Sequence, residues 1–362
     1  MRLASIRVNY GPKTDKERET QIERSGKEFK FQPTQIDFDF DFHFHFLRFY
    51  VSSSRAKLYQ EMHPDKNTTS KTQIRPENPL LLLPTQEKLT LGCPLLDRLL
   101  RGGLPCGSIT ELSGESGVGK TQLCLQLLLS ALLPPSHGGL SASSLFIHSE
   151  FPFPLRRLSR LPSHFSSSSS DPLDHVFVAA AHSPADLLAL LSRADALLAR
   201  SPSPLPIRLV VVDSVAALFR SDFDNNASDL KRRSSLFFKI ASKLKEQARR
   251  FGSVVVVTNQ VVDVVSNEEG TNGVRIGNYR ELLSSGRRVC PALGLSWANC
   301  VNTRLFLSRS DEVVGNGESD GLCVSTRTRR RMQVVFAPHL PASSCEFEIK
   351  KDGVLGVEAE SY

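Results

Sequence analysis

The stretch Gly114-Glu115-Ser116-Gly117-Val118-Gly119-Lys120-Thr121 fits the pattern G-x-x-x-x-G-K-[ST], and it constrains this chain more than any other feature. Its glycines reach backbone angles closed to other residues, so successive N–H groups can turn inward around phosphate. Lys120 brings a point charge to the outer phosphates, and the Thr121 hydroxyl completes the shell of a Mg²⁺ ion. The context fits the motif. Residues 108–112 alternate polar and apolar side chains as a strand does, and residues 121–133 are rich in Leu and Gln, as a helix is. A strand feeding a Gly-rich turn and then a helix N-terminus is the anion site the motif requires.

The same alternation of strand and helix continues downstream. Residues 144–150 read as a strand ending in the carboxylate of Glu150, and residues 176–179 as a further short strand. Ser183-Pro184-Ala185-Asp186 opens a helix to Arg200, with Ser as the cap and Pro in the first turn. Residues 207–213 and 254–260 are apolar strands with polar ends, as central parallel strands buried on both faces would be. Between them a long helix is predicted over 228–250, with Phe237, Ile240, Ala241, Leu244 and Ala248 as its apolar stripe and Gly252 as its stop. The class is therefore α/β with a mostly parallel central sheet. The last hundred residues change character, and 301–307, 332–336 and 345–349 read as a β-rich C-terminal extension at a sheet edge.

The regular core begins near Lys88, after a Pro/Leu-rich linker over 76–87. Residues 1–75 have the composition of a disordered or spurious extension. They include a low-complexity Asp/Phe/His alternation at 37–46, and Met62 is an alternative start. The formal charge of +7 over 362 residues leans only weakly toward polyanionic partners. Seven scattered Cys, none in a C-x₂₋₄-C pair, suit reduced thiols rather than zinc or a disulfide framework. No uncharged apolar run reaches 18 residues, so no membrane association is expected.

In α/β sheets ligands gather at the carboxyl ends of strands. Lys120 and Thr121 belong there by their motif. Asp213 follows an apolar run, as a carboxylate that orients Mg²⁺ through water would. Glu150 is a candidate general base, although a solvated strand-end Glu fits the spacing equally. Gln260 is a candidate sensor of the γ-phosphate. The stretch after Asp213 carries Arg220, Arg232 and Arg233, and the stretch after Gln260 carries Arg275, Arg280, Arg287 and Arg288 among glycines. Both read as loops able to track a phosphodiester backbone, or as solvated charge. A third basic cluster, Arg327-Thr328-Arg329-Arg330-Arg331, reads equally as a phosphate patch, an import signal or an exposed hairpin.

Taken together, several stretches resemble the RecA/RadA-type recombinases. They are Leu91-Gly92-Cys93-Pro94-Leu95-Leu96-Asp97 with Gly102-Gly103, the phosphate loop, Phe146-Ile147-His148-Ser149-Glu150, Leu209-Val210-Val211-Val212-Asp213-Ser214 and Val257-Thr258-Asn259-Gln260-Val261. Within that family His137-Gly138-Gly139-Leu140, Ser149-Glu150-Phe151-Pro152-Phe153-Pro154 and Gly294-Leu295-Ser296-Trp297-Ala298-Asn299 are similar to a eukaryotic paralogue. The resemblance covers roughly Lys88 to the C-terminus. It implies a RecA-type ATPase core that binds ATP and Mg²⁺ through Gly114 to Thr121, with metal oxygens from Thr121 and Asp213, catalytic Glu150 and Gln260, and slow, DNA-dependent turnover.

It further implies homologous-recombination repair of double-strand breaks, in the nucleus, with the cytoplasm also open. The implied partners are single-stranded and branched DNA, a second recombinase paralogue as heterodimer partner, and the strand-exchange recombinase. Two departures point to a heteromeric partner rather than long filaments. No helical N-terminal DNA-binding domain is legible, and no Phe-x-x-Ala tether lies between Met62 and Lys88; the matches at Phe177 and Phe238 fall inside predicted core elements. A P-loop small-molecule kinase and a non-hydrolysing ATP-binding structural subunit are the competing readings.

Overall fold

Four consecutive valines at 254–257 leave neither face of a strand polar, so such a strand needs cover on both sides. The computed structural model, which describes residues 86–161, 171–220, 223, 226–264, 282–314 and 325–358, provides that cover. The elements follow in order. A short pair, β1 (Lys88–Leu89) and β2 (Leu104–Pro105), flanks α1 (Pro94–Leu99). Then come β3 (Ile109–Gly114), α2 (Lys120–Ser130), β4 (Ser143–His148), α3 (Leu155–Leu158), β5 (Val176–Ala180), α4 (Pro184–Ala199), β6 (Ile207–Asp213), α5 (Ala227–Phe251) and β7 (Val254–Asn259). The chain continues through β8 (Val261–Asp263), β9 (Leu282–Ser284), β10 (Arg287–Pro291), α6 (Gly294–Ala298), β11 (Thr303–Val314), β12 (Ser325–Phe336), β13 (Ser344–Lys350) and β14 (Gly353–Val357).

Nine strands form one sheet in the order β14-β13-β12-β11-β3-β7-β6-β4-β5. From β11 to β5 every pairing is parallel, and from β11 outward to β14 every pairing is antiparallel. The expected α/β class and the edge extension are both present. The alternation along β6 and β7 assigns the two cores. Leu209, Val211, Val254 and Val256 join α2 on one face, while Val210, Val212, Val255 and Val257 join α4, α5 and the buried Trp297 of α6 on the other. Burying these side chains supplies the main favourable term, about 1.5–3 kcal/mol for each large aliphatic group.

Local signals act as read. Ser183 accepts from the Asp186 N–H at 3.1 Å and caps α4, and Asn226 caps α5 by accepting from Asp229 at 2.8 Å. The five stripe residues of α5 are buried, and Gly252 ends the helix at φ +59°. The Phe-x-x-Ala matches lie inside elements as expected, at Phe177 in β5 and Phe238 in α5. Gln126 staples the C-terminal extension to α2, donating to Val354 O at 3.1 Å while accepting from Val354 N at 2.6 Å.

One reading changes. Residues 282–291 are not part of a loop, because β9 and β10 form a hairpin whose second strand also pairs with β8 in a separate three-stranded sheet. At the exposed end of the linker, Gln86 donates to Cys106 O at 2.6 Å, and Glu87 pairs with Arg208 at 2.5 Å. Arg329, Arg330 and Arg331 lie on β12, paired with β11, and Arg330 and Arg331 pair with β13 as well. Arg275 and Arg280 lie outside the described residues. Among the described residues no helix is long and apolar enough to cross a membrane.

Candidate functional site

Parallel registry collects the polar strand ends at one edge. Ser113 of β3 lies opposite Asn259 of β7, and His148 of β4 opposite Asp213 of β6. The phosphate loop leaves β3 here, Gln260 follows β7, and Glu150 sits two residues beyond the end of β4. The expected strand over 144–150 therefore stops short of Glu150, which frees its side chain from the sheet's alternation.

The loop itself is tightly fitted. Gly119 caps α2 at φ +113°, and a Cβ there would fall 2.7 Å from Ile349 Cδ1. The Ile349 methyl can shift, so it is the left-handed φ that reserves the position for glycine. Lys120 Nζ donates to Gly114 O at 2.7 Å and Glu115 O at 2.8 Å, which leaves a third donor on the ammonium. Burial pushes the Lys120 pKa down, against the opposing pull of Asp213, Cys124, Glu150 and Glu115. Thr121 Oγ1 donates to Asp213 Oδ2 at 2.6 Å, and Thr258 Oγ1 donates to Asp213 Oδ1 at 2.6 Å. Both carboxylate oxygens are thus fixed by hydroxyls from α2 and β7. The Asp213–Ser214 peptide is cis, and Ser149 holds it by donating to Ser214 O at 2.8 Å and accepting from Ser214 N at 3.0 Å.

These residues fit a nucleoside triphosphate with a divalent cation. The loop N–H groups and Lys120 are donors for phosphate, while Thr121 and Asp213 offer the hard oxygen ligands that Mg²⁺ takes. Thr258 escaped the sequence reading as a site residue. Its signal is its place one residue beyond the Val212–Val257 pair, and that register is not readable from local sequence.

At the rim, Gln260 Nε2 donates to both Glu150 oxygens, at 3.1 and 3.0 Å. Arg220 Nη2 pairs with Glu150 Oε1 at 2.8 Å and also donates to Gln260 Oε1. The two expected catalytic residues are therefore in contact. The sequence placed Arg220 only among the basic side chains of a loop, whereas here it holds both. Just below the rim a second carboxylate, Glu111, accepts from Asn259 Nδ2 at 2.6 Å and from Arg304 Nε, with both ionic side chains at 1% exposure or less.

The remaining predicted residues separate. The Glu115 side chain turns away from Lys120 toward Ser284, Ser285, Arg287 and Arg309. Arg287 also bonds both oxygens of Asp263, and Arg288 is exposed on β10. Arg232 stacks its guanidinium 4.8 Å over the Phe223 ring. Arg233 lies 5.3 Å over Phe237 and donates to Ala292 O at 3.4 Å, so it joins α5 to the segment after β10. Burial pushes the Arg233 pKa down. The basic cluster on β12 borders a cleft shared with Arg98 and Arg101.

Comparison with known proteins places the chain in a family. A family model described as Rad51 matches residues 85–283. The DNA repair protein XRCC3 homolog of Arabidopsis thaliana is 54% identical over 300 residues, 79% of this chain and 99% of that protein. DNA repair protein XRCC3 of Bos taurus is 38% identical over 292 residues, 78% of each chain. The DNA repair protein RAD51 homolog 2 of Mus musculus is 33% identical over 273 residues, 72% of this chain and 73% of that one.

Proposed function

This chain belongs to the Rad51 family, and from that premise we propose that it is an ATP-dependent, DNA-binding mediator of homologous-recombination repair of double-strand breaks. It assists a strand-exchange recombinase, pairs with a second recombinase paralogue, binds single-stranded and branched DNA, four-way junctions included, and works in the nucleus. The observation that carries the reading is the two-hydroxyl grip on Asp213 beneath the phosphate loop, with the Glu150–Gln260 pair at the rim. It joins the parts a nucleotide switch needs: a phosphate cradle, a metal carboxylate, a base and an amide just past the strand that carries Thr258.

Each residue has a task in this reading. Gly114 to Gly119 offer N–H groups to the phosphates, and Lys120 carries the compensating charge. Thr121 and Asp213 hold the cation, which supplies charge neutralisation when bound. Glu150 orients and polarises water, and Gln260 exchanges its bonds to Glu150 for a bond to the γ-phosphate oxygen. Because Gln260 is followed directly by β8, that exchange moves the small sheet carrying Arg287 and Arg288. Turnover is slow, and ATP acts chiefly as a switch on assembly and DNA affinity.

The test is ATP and DNA binding by the full chain, alone and co-expressed with a recombinase paralogue, with Lys120→Ala as the variant. The expected result is DNA binding by the complex, weakened or reorganised by Lys120→Ala. ATP binding with no DNA binding in either form would overturn the mediator reading in favour of small-molecule phosphoryl transfer.

A further inference from the structure

Glu115 stands inside the phosphate loop, yet its carboxylate is acceptor-only and carries the same charge sign as phosphate. A side chain of that kind repels the ligand unless something else neutralises it. The structure supplies that neutralisation on the far side of the loop. Ser284 Oγ and Ser285 Oγ each donate to Glu115 Oε1 at 2.6 Å. Arg287 Nη2 donates to Oε2 and Arg309 Nε to Oε1, both at 3.2 Å, and the carboxylate side chain is only 8% exposed. Burial acts to raise the Glu115 pKa, but the two hydroxyls and then Arg309 and Arg287 outweigh it and hold it below the usual range.

The partners belong to one rigid unit. Ser284 ends β9, Ser285 is the hairpin turn and Arg287 begins β10. Ser285 N donates to Arg309 O at 2.7 Å, and Arg309 N donates to Ser284 Oγ at 3.1 Å, so the turn is fixed to β11 as well. Arg287 continues the chain of contacts to Asp263 of β8. On the other side, the Glu115 carbonyl is one of the two that hold Lys120.

We propose that Glu115 is a positioning residue that ties the phosphate loop to the β8–β10–β9 sheet, so that phosphate binding is transmitted to Arg287 and Arg288 by a route independent of Gln260. This rests on the nucleotide-site reading above. Phosphate oxygens take the third donor of the Lys120 ammonium and, where they engage a second, displace the Gly114 or Glu115 carbonyl. When Lys120 exchanges one acceptor for the other, the Glu115 backbone shifts, and two short hydroxyl bonds leave the hairpin turn no slack. The sheet is then held to the site at two points, by chain continuity at Gln260 and by the Glu115 carboxylate.

The experiment is amide hydrogen exchange of the full chain with and without ATP and Mg²⁺, read over residues 282–291, beside a direct measurement of ATP affinity. Two variants cut the tie from opposite sides: Glu115→Ala, and the double Ser284→Ala/Ser285→Ala, which leaves the phosphate loop intact should the first fail to fold. In the wild-type chain ATP changes exchange at 282–291 by about tenfold. The Ser284→Ala/Ser285→Ala chain binds ATP within about threefold of wild type, and both variants lose most of that change, the remainder passing through Gln260, while exchange over residues 184–199 is unaltered. A variant that keeps the full ATP-dependent change, or a wild-type chain that binds ATP without one, overturns the tie alone. A wild-type chain that binds no ATP removes the nucleotide reading and the tie with it.

Discussion

Asn259 and Gln260 are neighbours in the chain, and each serves a set of three groups of the same chemistry. Each amide donates to a carboxylate that is also paired with an arginine: Asn259 with Glu111 and Arg304, Gln260 with Glu150 and Arg220. The wet set adds a bond from Arg220 to the Gln260 carbonyl oxygen that the Asn259 carbonyl oxygen lacks, but the larger difference is solvent. Glu111 and Arg304 are 0% and 1% exposed, whereas Glu150 and Arg220 are 25% and 60% exposed. In the dry set a missing partner leaves a charge in low dielectric, so the arrangement is fixed. In the wet set water replaces a missing partner at little cost, so the arrangement can rearrange when a phosphate arrives. Similar groups make an anchor in one place and, under the proposed function, a switch in the next.

Breaking the dry set gives the largest effect. Glu111→Ala leaves Arg304 charged and buried and removes the acceptor of Asn259, and it is expected to cost about 3–5 kcal/mol of folding stability. Equilibrium denaturation of the purified chain measures this. Replacing both ions at once, as Glu111→Leu with Arg304→Met, is expected to be far less harmful, because desolvation then disappears along with the pair. A double variant as unstable as the single would contradict the account.

The amides sharpen the contrast with a smaller effect. Asn259→Ala leaves Glu111 short of a buried hydrogen bond and is expected to cost about 1–3 kcal/mol. Gln260→Ala, one residue on, is expected to change stability by no more than about 0.5 kcal/mol. Its consequence falls on the nucleotide response, read as the ATP-dependent change in DNA affinity. Equal destabilisation by the two would mean that solvent does not separate the sets.

The sequence makes one part of this legible and hides the other. Lys120, Thr121, Asp213, Glu150 and Gln260 could be read because each stands at a motif position or at the end of a strongly apolar strand. The pairing of Glu150 with Gln260 was not read, because β4 and β7 are separated in the sheet by β6 and only the three-dimensional fold brings their ends together. Thr258 on Asp213, Asn259 on Glu111 and Arg304 on Glu111 could not be read. Those contacts depend on register between strands up to 193 positions apart, which no local periodicity encodes. The hairpin of β9 and β10 was missed for a related reason. Gly270, Gly273, Gly277 and Gly286 are turn signals, and they outweighed two short strands whose partners are each other and β8. Glu115 was read with the phosphate loop for its backbone, and the motif does not say which way a side chain at a variable position points.

Breaking the wet set gives the smallest change in stability. Arg220→Ala removes one ion from a pair with a 60% exposed arginine and is expected to cost no more than about 1 kcal/mol, shrinking further in 1 M salt. Its effect lies in the chemistry. Arg220 occupies lone pairs of Glu150 that would otherwise polarise water, and it also holds the Gln260 carbonyl oxygen. Without it Glu150 keeps its bonds from Gln260 but gains room for water, so DNA-independent ATP turnover should rise by a few-fold, about 1 kcal/mol in the barrier. Denaturation at low and high salt, with turnover of ATP in the absence of DNA, reads both quantities. A loss above about 2 kcal/mol would make Arg220 an anchor like Arg304 and erase the distinction between the two sets.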